Sequence, residues 1–257
     1  MDGRTDEASK AAGNVKKNRY KDVGCWDQTR VKLEPVEGAG EGDYIHANWV
    51  EGVEQPRRYI LTQGPMLNIP GYADTTADMW RMVWEQGVSV IIMLCQVVEQ
   101  DKSKCAQYWP TVKGAAQIHG NFSVFCKEAG DRHIADHTIV LSNLILTPIN
   151  GGEGRREICH YLHSNWPDRK CPPSAAPIVD FLLKVNKAAK TLAERQGLSP
   201  GKSPLLVHCS AGIGRTGTLV AIDIGMGLLG LPNPRLSLPH IVLQLRRQRK
   251  FSVQTPI

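Results

Sequence analysis

One stretch constrains this 257-residue chain more than any other: VHCSAGIGRTG, residues 207–217, which sets one cysteine, one arginine and three glycines into eleven positions. Upstream, Leu205–Val207 reads as a short buried strand. Downstream, Leu219, Val220 and Ile224 read as a helix, despite weakening glycines at 225 and 227. The loop therefore joins a strand end to a helix N-terminus, where backbone N–H groups point outward and the helix dipole favours an anion. Glycines let those N–H groups converge into a nest. A thiol at such a mouth is a thiolate near neutral pH. Arg215, six residues after Cys209, can fork onto two phosphate oxygens. Nucleophile, backbone donors and guanidinium then surround one tetrahedral anion.

Gly212–Gly217 also spells G-x-G-x-x-G. A dinucleotide fingerprint opens a βαβ unit and carries an acidic residue ~20 positions later. Here Leu236-Ser237-Leu238-Pro239-His240 stands at that distance and no second half follows, which excludes the dinucleotide reading. A buried cysteine beside an ordinary surface arginine is the bland alternative. His208 before the cysteine and AGIGRTG after it weigh against that.

With 42% hydrophobic residues the chain can bury one sizeable core. A net charge of +6 suits anionic ligands without singling out nucleic acid, which is not expected as a partner. The basic cluster Arg246, Arg247, Arg249 and Lys250 reads as a solvated helix face. Seven irregularly spaced cysteines with no C-x-x-C pair argue against a zinc site or a disulfide framework and fit a reducing, cytoplasmic setting. Cys25, Cys95, Cys105, Cys126, Cys159 and Cys171 read as packing or incidental thiols. The apolar run Val88–Val98 is too short to span a bilayer, so no membrane insertion is expected. The N-terminus is polar with no apolar segment, so neither a signal peptide nor a membrane anchor is expected there. Residues 1–14 are expected to be a flexible polar tail before a single domain over 15–257, and residues 34–43 an acidic, glycine-rich loop.

Strand patterns fall at Arg58–Gln63, Ser89–Cys95, Cys105–Trp109, Asn121–Cys126, Thr138–Leu146 and Glu157–His163. Helices are expected after three caps: Thr75, with Asp78 three residues on; Ser174, with Gly197 as a stop; and Ser237, with Pro239 in the first turn. Intermixed strands and helices predict an α/β (α+β) domain with a mixed sheet.

The run His208-Cys209-Ser210-Ala211-Gly212-Ile213-Gly214-Arg215-Thr216-Gly217 resembles the signature loop of the classical-type, phosphotyrosine-specific protein tyrosine phosphatases. Other stretches resemble that family in the same order. They are Lys17–Val23 (its phosphotyrosine-recognition loop), Asp43–Asn48 and Tyr59–Pro65 (core motifs), Lys104–Pro110 (a strand beside the site), Trp166-Pro167-Asp168 (the mobile acid loop) and Val253-Gln254-Thr255 (the water-positioning loop). The resemblance covers roughly residues 16–255. It implies a single domain with a highly twisted mixed β-sheet flanked by helices and the cysteine loop between a strand and a helix.

It further implies hydrolysis of phosphotyrosine in proteins through a phosphocysteine. Cys209 would attack phosphorus, with Arg215 and the amides of Ser210, Ala211, Gly212, Ile213 and Gly214 holding the phosphate oxygens. Asp168, 41 residues before Cys209, would be general acid and then base. Thr216 would bond the thiolate and Gln254 would place the water. Tyr20 would pack on the substrate ring, and Asp22 would bond its backbone. His208, Trp166, Pro167, Glu99 and Lys104 would support loop, hinge and Arg215. No metal or cofactor is implied, and the chain is expected to be a monomer. Two departures stand out: residues 69–74 look like an insertion, and the chain stops before the family's closing helix. Truncation motivates the alternative of a catalytically weak phosphotyrosine-binding pseudophosphatase. A dual-specificity phosphatase would lack the Asn18-Arg19-Tyr20 loop.

Overall fold

The computed structural model describes the chain except residues 1–2, 36–41, 54–57, 131–132, 135–138, 150, 169, 173, 198–202, 234 and 256–257. Its strands are β1 (Arg30–Lys32), β2 (Tyr44–Glu51), β3 (Arg58–Thr62), β4 (Val90–Met93), β5 (Val98–Glu99), β6 (Lys102–Ser103), β7 (Ala116–His119), β8 (Phe122–Glu128), β9 (His133–Ile134), β10 (Ile139–Pro148), β11 (Arg156–His163) and β12 (Leu205–His208). The helices are α1 (Glu7–Lys10), α2 (Thr76–Glu85), α3 (Ala176–Arg195), α4 (Gly214–Leu229) and α5 (Leu238–Gln248).

Val90-Ile91-Ile92-Met93 is apolar throughout, as a strand covered on both faces must be. It lies at the centre of a mixed sheet ordered β1-β2-β3-β12-β4-β11-β10-β8-β7, with β9 on β10. β3, β12, β4 and β11 run parallel, and the outer strands pair antiparallel. Successive strand residues point to opposite faces. On β11, Tyr161 and His163 meet Phe181 of α3. His160 instead stacks on Trp109 and meets Tyr108, which lies beside Trp80 of α2. Helices α2 and α3 therefore cover opposite faces. Tyr59 on β3 and Asn186 on α3 both donate to Asp223, at 2.8 Å each, which ties α4 to the α3 side. The parallel core carries the C-terminal ends of β3, β4, β11 and β12 to one edge, the edge where open α/β sheets bind ligands.

Several local expectations are corrected. Cys105–Trp109 forms no strand. Its Tyr108 is fully buried and held by side-chain bonds to two histidines rather than by a ladder. Thr75 does not cap α2: its hydroxyl accepts from Met66 N, and Asp74 Oδ1 accepts from Thr76 N at 2.8 Å. Ser174 does not cap α3, which begins at Ala176 with Pro177 in its first turn. Ser237 does cap α5, accepting from His240 N, and Gly197 at φ +68° follows the end of α3. The described part of the tail expected over 1–14, residues 3–14, is held by bonds to residues 27 and 28. Asp27 accepts from Glu7 N and Ala8 N at 2.8 and 3.0 Å, satisfying the first amides of α1. Most of the acidic loop at 34–43 lies outside the described residues.

Candidate active site

β12 delivers Cys209 to the sheet edge, and α4 begins five residues later at Gly214 with no side chain capping its first amides. Gly212 turns the loop at φ +69°, where a Cβ would lie 2.0 Å from Thr62 O. Gly217 lets the 252–253 segment approach, since a Cβ there would lie 2.6 Å from Val253 N. Cys209 is 4% exposed, and its Sγ accepts from Gly212 N at 3.3 Å.

Arg249 holds the loop from behind. It is fully buried and donates from Nε to Gly212 O (3.1 Å), from Nη2 to Ala211 O (3.1 Å) and from Nη1 to Asn48 Oδ1 (2.8 Å). In a trans peptide the C=O and the following N–H point opposite ways. Drawing the carbonyls of Ala211 and Gly212 onto Arg249 therefore turns the amides of Gly212 and Ile213 away from it, and the Gly212 amide does reach Cys209. Of the 246–250 cluster, Arg246 and Arg247 are exposed as on a solvated face, whereas Arg249 is buried and Lys250 partly so. Arg246 donates to Ser252 O and Val253 O, and Lys250 pairs with Asp6 at 2.8 Å. A signal was present: Arg249 continues the buried stripe Ile241, Leu245 at a spacing of four.

Arg215 is preset by Glu99, which accepts from Nη1 at 2.6 Å and Nη2 at 3.1 Å. Burial alone would lower the guanidinium's pKa, but the Glu99 fork together with the neighbouring Cys209 and Cys95 more than offsets it and holds the pKa above its ordinary value. Nη1 also donates to Trp166 O (3.1 Å), and Nη2 lies 3.5 Å from Asp168 Oδ1. The other Asp168 oxygen accepts from Lys104 Nζ at 2.8 Å. That partner keeps the ammonium's pKa raised against the opposing effect of burial. Trp166 is buried, and its indole N–H closes the 166–170 loop on Lys170 O at 2.9 Å.

Ser210 Oγ donates to Lys104 O (2.9 Å), so Tyr20 OH is the donor in its 2.8 Å contact with Ser210 Oγ. Arg19 anchors the Tyr20 loop by bonds to Gly64 O, Pro65 O and Ser103 O. Behind Cys209, burial pushes His208 down to about 4 and His160 to about 3, so both rings are neutral. His208 Nδ1 faces Cys209 O at 3.2 Å and must carry the proton. Its Nε2 then accepts from Tyr108 OH (2.7 Å), whose oxygen accepts from His160 Nε2 (2.9 Å). Thr216 Oγ1 is buried, and the described residues offer it no hydrogen-bond partner.

One cavity gathers much of this set. Tyr20, Trp166, Asp168, Cys209, Arg215 and Gln254 line it, with Ser210, Ala211 and Gly214 of the loop. Val253 at φ +58°, a costly angle for a β-branched residue, aims the Gln254 segment across the loop, and Val253 N donates to Ile213 O at 3.0 Å. Gln254 Oε1 lies 3.3 Å from where a Gly214 Cβ would stand. Asp22 is exposed and does not line the cavity, and Gly212, Ile213, Thr216, His208, Pro167, Glu99 and Lys104 stand behind or beside it. Lys170 and Thr218 line it without having been named from the sequence, and so do Cys171, read there as a packing or incidental thiol, and Thr255, read only as part of the water-positioning loop. Among the described residues no cluster of three His, Cys, Asp or Glu side chains could hold a metal ion, and no helix is long and apolar enough to cross a membrane.

The sequence model of the protein-tyrosine phosphatase family matches residues 14–257. The chain is 38% identical to human tyrosine-protein phosphatase non-receptor type 9 over 98% of this chain and 41% of that protein. It is 39% identical to the Lar-like tyrosine-protein phosphatase of Caenorhabditis elegans over 98% of this chain and 10% of that protein. It thus spans 41% or less of the length of these two relatives. The catalytic domain of human protein tyrosine phosphatase non-receptor type 18 superposes with a TM-score of 0.81 at 37% identity, covering 98% of this chain and 83% of that one. With this agreement along nearly its whole length, the chain belongs to the protein-tyrosine phosphatase family.

Proposed function

We propose that this chain hydrolyses phosphotyrosine in proteins through a phosphocysteine intermediate. One observation carries the reading. Cys209, Arg215 and Asp168, separated by 6 and 41 residues from the cysteine in sequence, line one cavity floored by loop amides. A phosphate seated there would displace Asp168 from Arg215 and take the guanidinium fork and the amides of Ser210–Gly214. Those donors oppose the charge that spreads over the oxygens of a loose transition state. Cys209 Sγ attacks phosphorus and the tyrosine oxygen leaves with a proton from Asp168. Asp168 then takes a proton from the water that Gln254 positions, and phosphate departs. Tyr20, fixed through Ser210, stacks on the substrate ring. Its wall makes a slot deep enough for phosphotyrosine to reach Cys209, which phosphoserine cannot.

The reducing setting suggested by unpaired cysteines, together with non-receptor relatives, supports a cytoplasmic enzyme. The test is the purified protein with matched phosphotyrosine and phosphoserine peptides, in chelator. Phosphate release from the tyrosine peptide alone is expected. Tight binding of that peptide without release would favour the pseudophosphatase alternative.

A further inference from the structure

Gln254 is reached through a turn that its own residues do not favour. Ser252 N donates to Arg249 O at 3.2 Å, closing a four-residue turn over residues 249–252. Its third residue, Phe251, stands at φ +61°, a left-handed angle that turns ordinarily give to glycine or asparagine. Phe251 is 47% exposed, so core packing does not enforce that angle. Val253 adds a second left-handed angle just before Gln254. Such backbone persists only where its surroundings over-determine it. Arg246 holds the exit of the turn, through Ser252 O and Val253 O. Lys250 holds the apex. Its ammonium lies 4.6 Å from the centre of the Trp26 ring, 5.4 Å from that of Phe251 and 2.8 Å from Asp6 Oδ2. Asp6 is buried and lies 244 residues earlier in the chain; a Cβ at Gly24 would collide with its carboxylate. Its other oxygen pairs with Lys10, which is largely exposed. Ser9 Oγ donates to Asp6 O at 2.7 Å, and the amides of Glu7 and Ala8 end on Asp27, so Asp6 is itself fixed. The Trp26 indole also donates to Arg246 O at 2.9 Å, which gives the 6–26 stretch a hold on both anchors of the turn.

We propose that Asp6 is a positioning residue for the second chemical step: through Lys250 it fixes the 249–253 turn and with it the place of Gln254 at the cavity. This rests on the reading that Gln254 places the water that hydrolyses the phosphocysteine. The faces of Trp26 and Phe251 attract the ammonium, but aromatic faces alone do not keep a lysine from water. The buried Asp6 carboxylate adds a directional partner that solvent and salt screen less than they screen an exposed pair. Without it Lys250 moves into solvent, Phe251 loses the contact that favours its left-handed angle, and the turn relaxes toward Gln254. Formation of the phosphocysteine is carried by Cys209, Arg215 and Asp168, and the latter two are held by Glu99 and Lys104. Its breakdown is the step that needs Gln254. The clamp therefore acts on one half of the reaction.

Asp6→Asn keeps the shape of the side chain and removes its charge; Lys250→Met removes the ammonium and keeps a stem on Trp26. Rapid-quench kinetics with a phosphotyrosine peptide separate formation of the phosphocysteine from its breakdown. Each variant should slow breakdown about tenfold, the scale of a modest misplacement, while formation stays close to wild type. The double variant should be no slower than either single one, because both cut the same link. Lys10→Met, which removes the exposed partner of the same carboxylate, should change neither step. Equal slowing of both steps, or slowing of neither, overturns the proposal. Hydrogen exchange supplies a readout that needs no turnover. The amides of Ser252 and Val253 should exchange faster in Asp6→Asn and Lys250→Met than in the wild type or Lys10→Met. Exchange at the wild-type rate overturns the clamp even where the phosphatase reading stands. A wild-type protein that forms no phosphocysteine, with variants that exchange faster at this turn, would sustain the hold of Asp6 on the turn and sink the phosphatase reading.

Discussion

Replacing Arg249 by methionine keeps an apolar stem and deletes the guanidinium that holds the Cys209–Arg215 loop from behind. Three hydrogen bonds go, to Gly212 O, Ala211 O and Asn48 Oδ1. Each bond to a charged group is worth about 1.5–3 kcal/mol, and each orphaned buried carbonyl costs about 1–3 kcal/mol. These overlap, and removing a buried cation also relieves its own desolvation, so the net cost is about 3–5 kcal/mol, the range for breaking a buried charged network. A chain of this size loses about 2–4 °C of Tm per kcal/mol, which places the fall at about 6–20 °C. Total stability of about 5–15 kcal/mol leaves the fold standing at room temperature.

Turnover should suffer more than folding. With the carbonyls of Ala211 and Gly212 released, the amides of Gly212 and Ile213 lose their fixed aim. Loss of one preorganised donor costs about 100-fold or more in rate. Circular dichroism melting and kcat/KM on a phosphotyrosine peptide, taken well below Tm, read the two effects separately. An Arg249→Met protein with Tm within about 2 °C of wild type and kcat/KM within about threefold would refute the assignment of loop control to Arg249.

Cys209→Ser should abolish turnover while phosphopeptide binding persists, because Arg215 and the loop amides remain; undiminished hydrolysis by this variant, read as phosphate release, rules out Cys209 as nucleophile. Asp168→Ala should lower turnover of phosphotyrosine peptides by ~100-fold or more, and by much less on an aryl phosphate whose leaving group needs no proton. Equal losses on both substrates would argue against the acid role. Burial pushes His46 and His160 down to about 3 and His208 to about 4. Their folded pKa values lie below the unfolded value of about 6.5, so this stability is fully present above about pH 6.5 and drains as pH falls toward the folded values. Each histidine contributes a slope of about 1.4 kcal/mol per pH unit in that window. Urea unfolding midpoints should therefore drop far more between about pH 6.5 and 5 than between about pH 8 and 6.5; a flat profile would mean that these rings already carry their protons in the fold.

What could be read from the sequence was whatever carried its own partners nearby. The 207–217 loop states its chemistry in contiguous residues, and Ser237 caps α5 through an amide three residues on. The larger misreadings involve partners that only the fold supplies. The early segment resembles a solvated tail because the carboxylate that holds it, Asp27, lies 20 residues beyond Glu7. The 105–109 segment has a strand's composition, yet Tyr108 spends its hydroxyl on His160 and His208, 52 and 100 residues away. Arg249 is the sharpest case. Its charged neighbours suggest solvent, and its stripe position suggests burial; composition and periodicity pull opposite ways. Periodicity prevails because carbonyls 37 and 38 residues upstream compensate the buried charge. A cation on an apolar stripe is therefore a pointer to unpaired backbone acceptors elsewhere in the chain. In this protein those acceptors belong to the loop whose amides must face the other way to hold a phosphate.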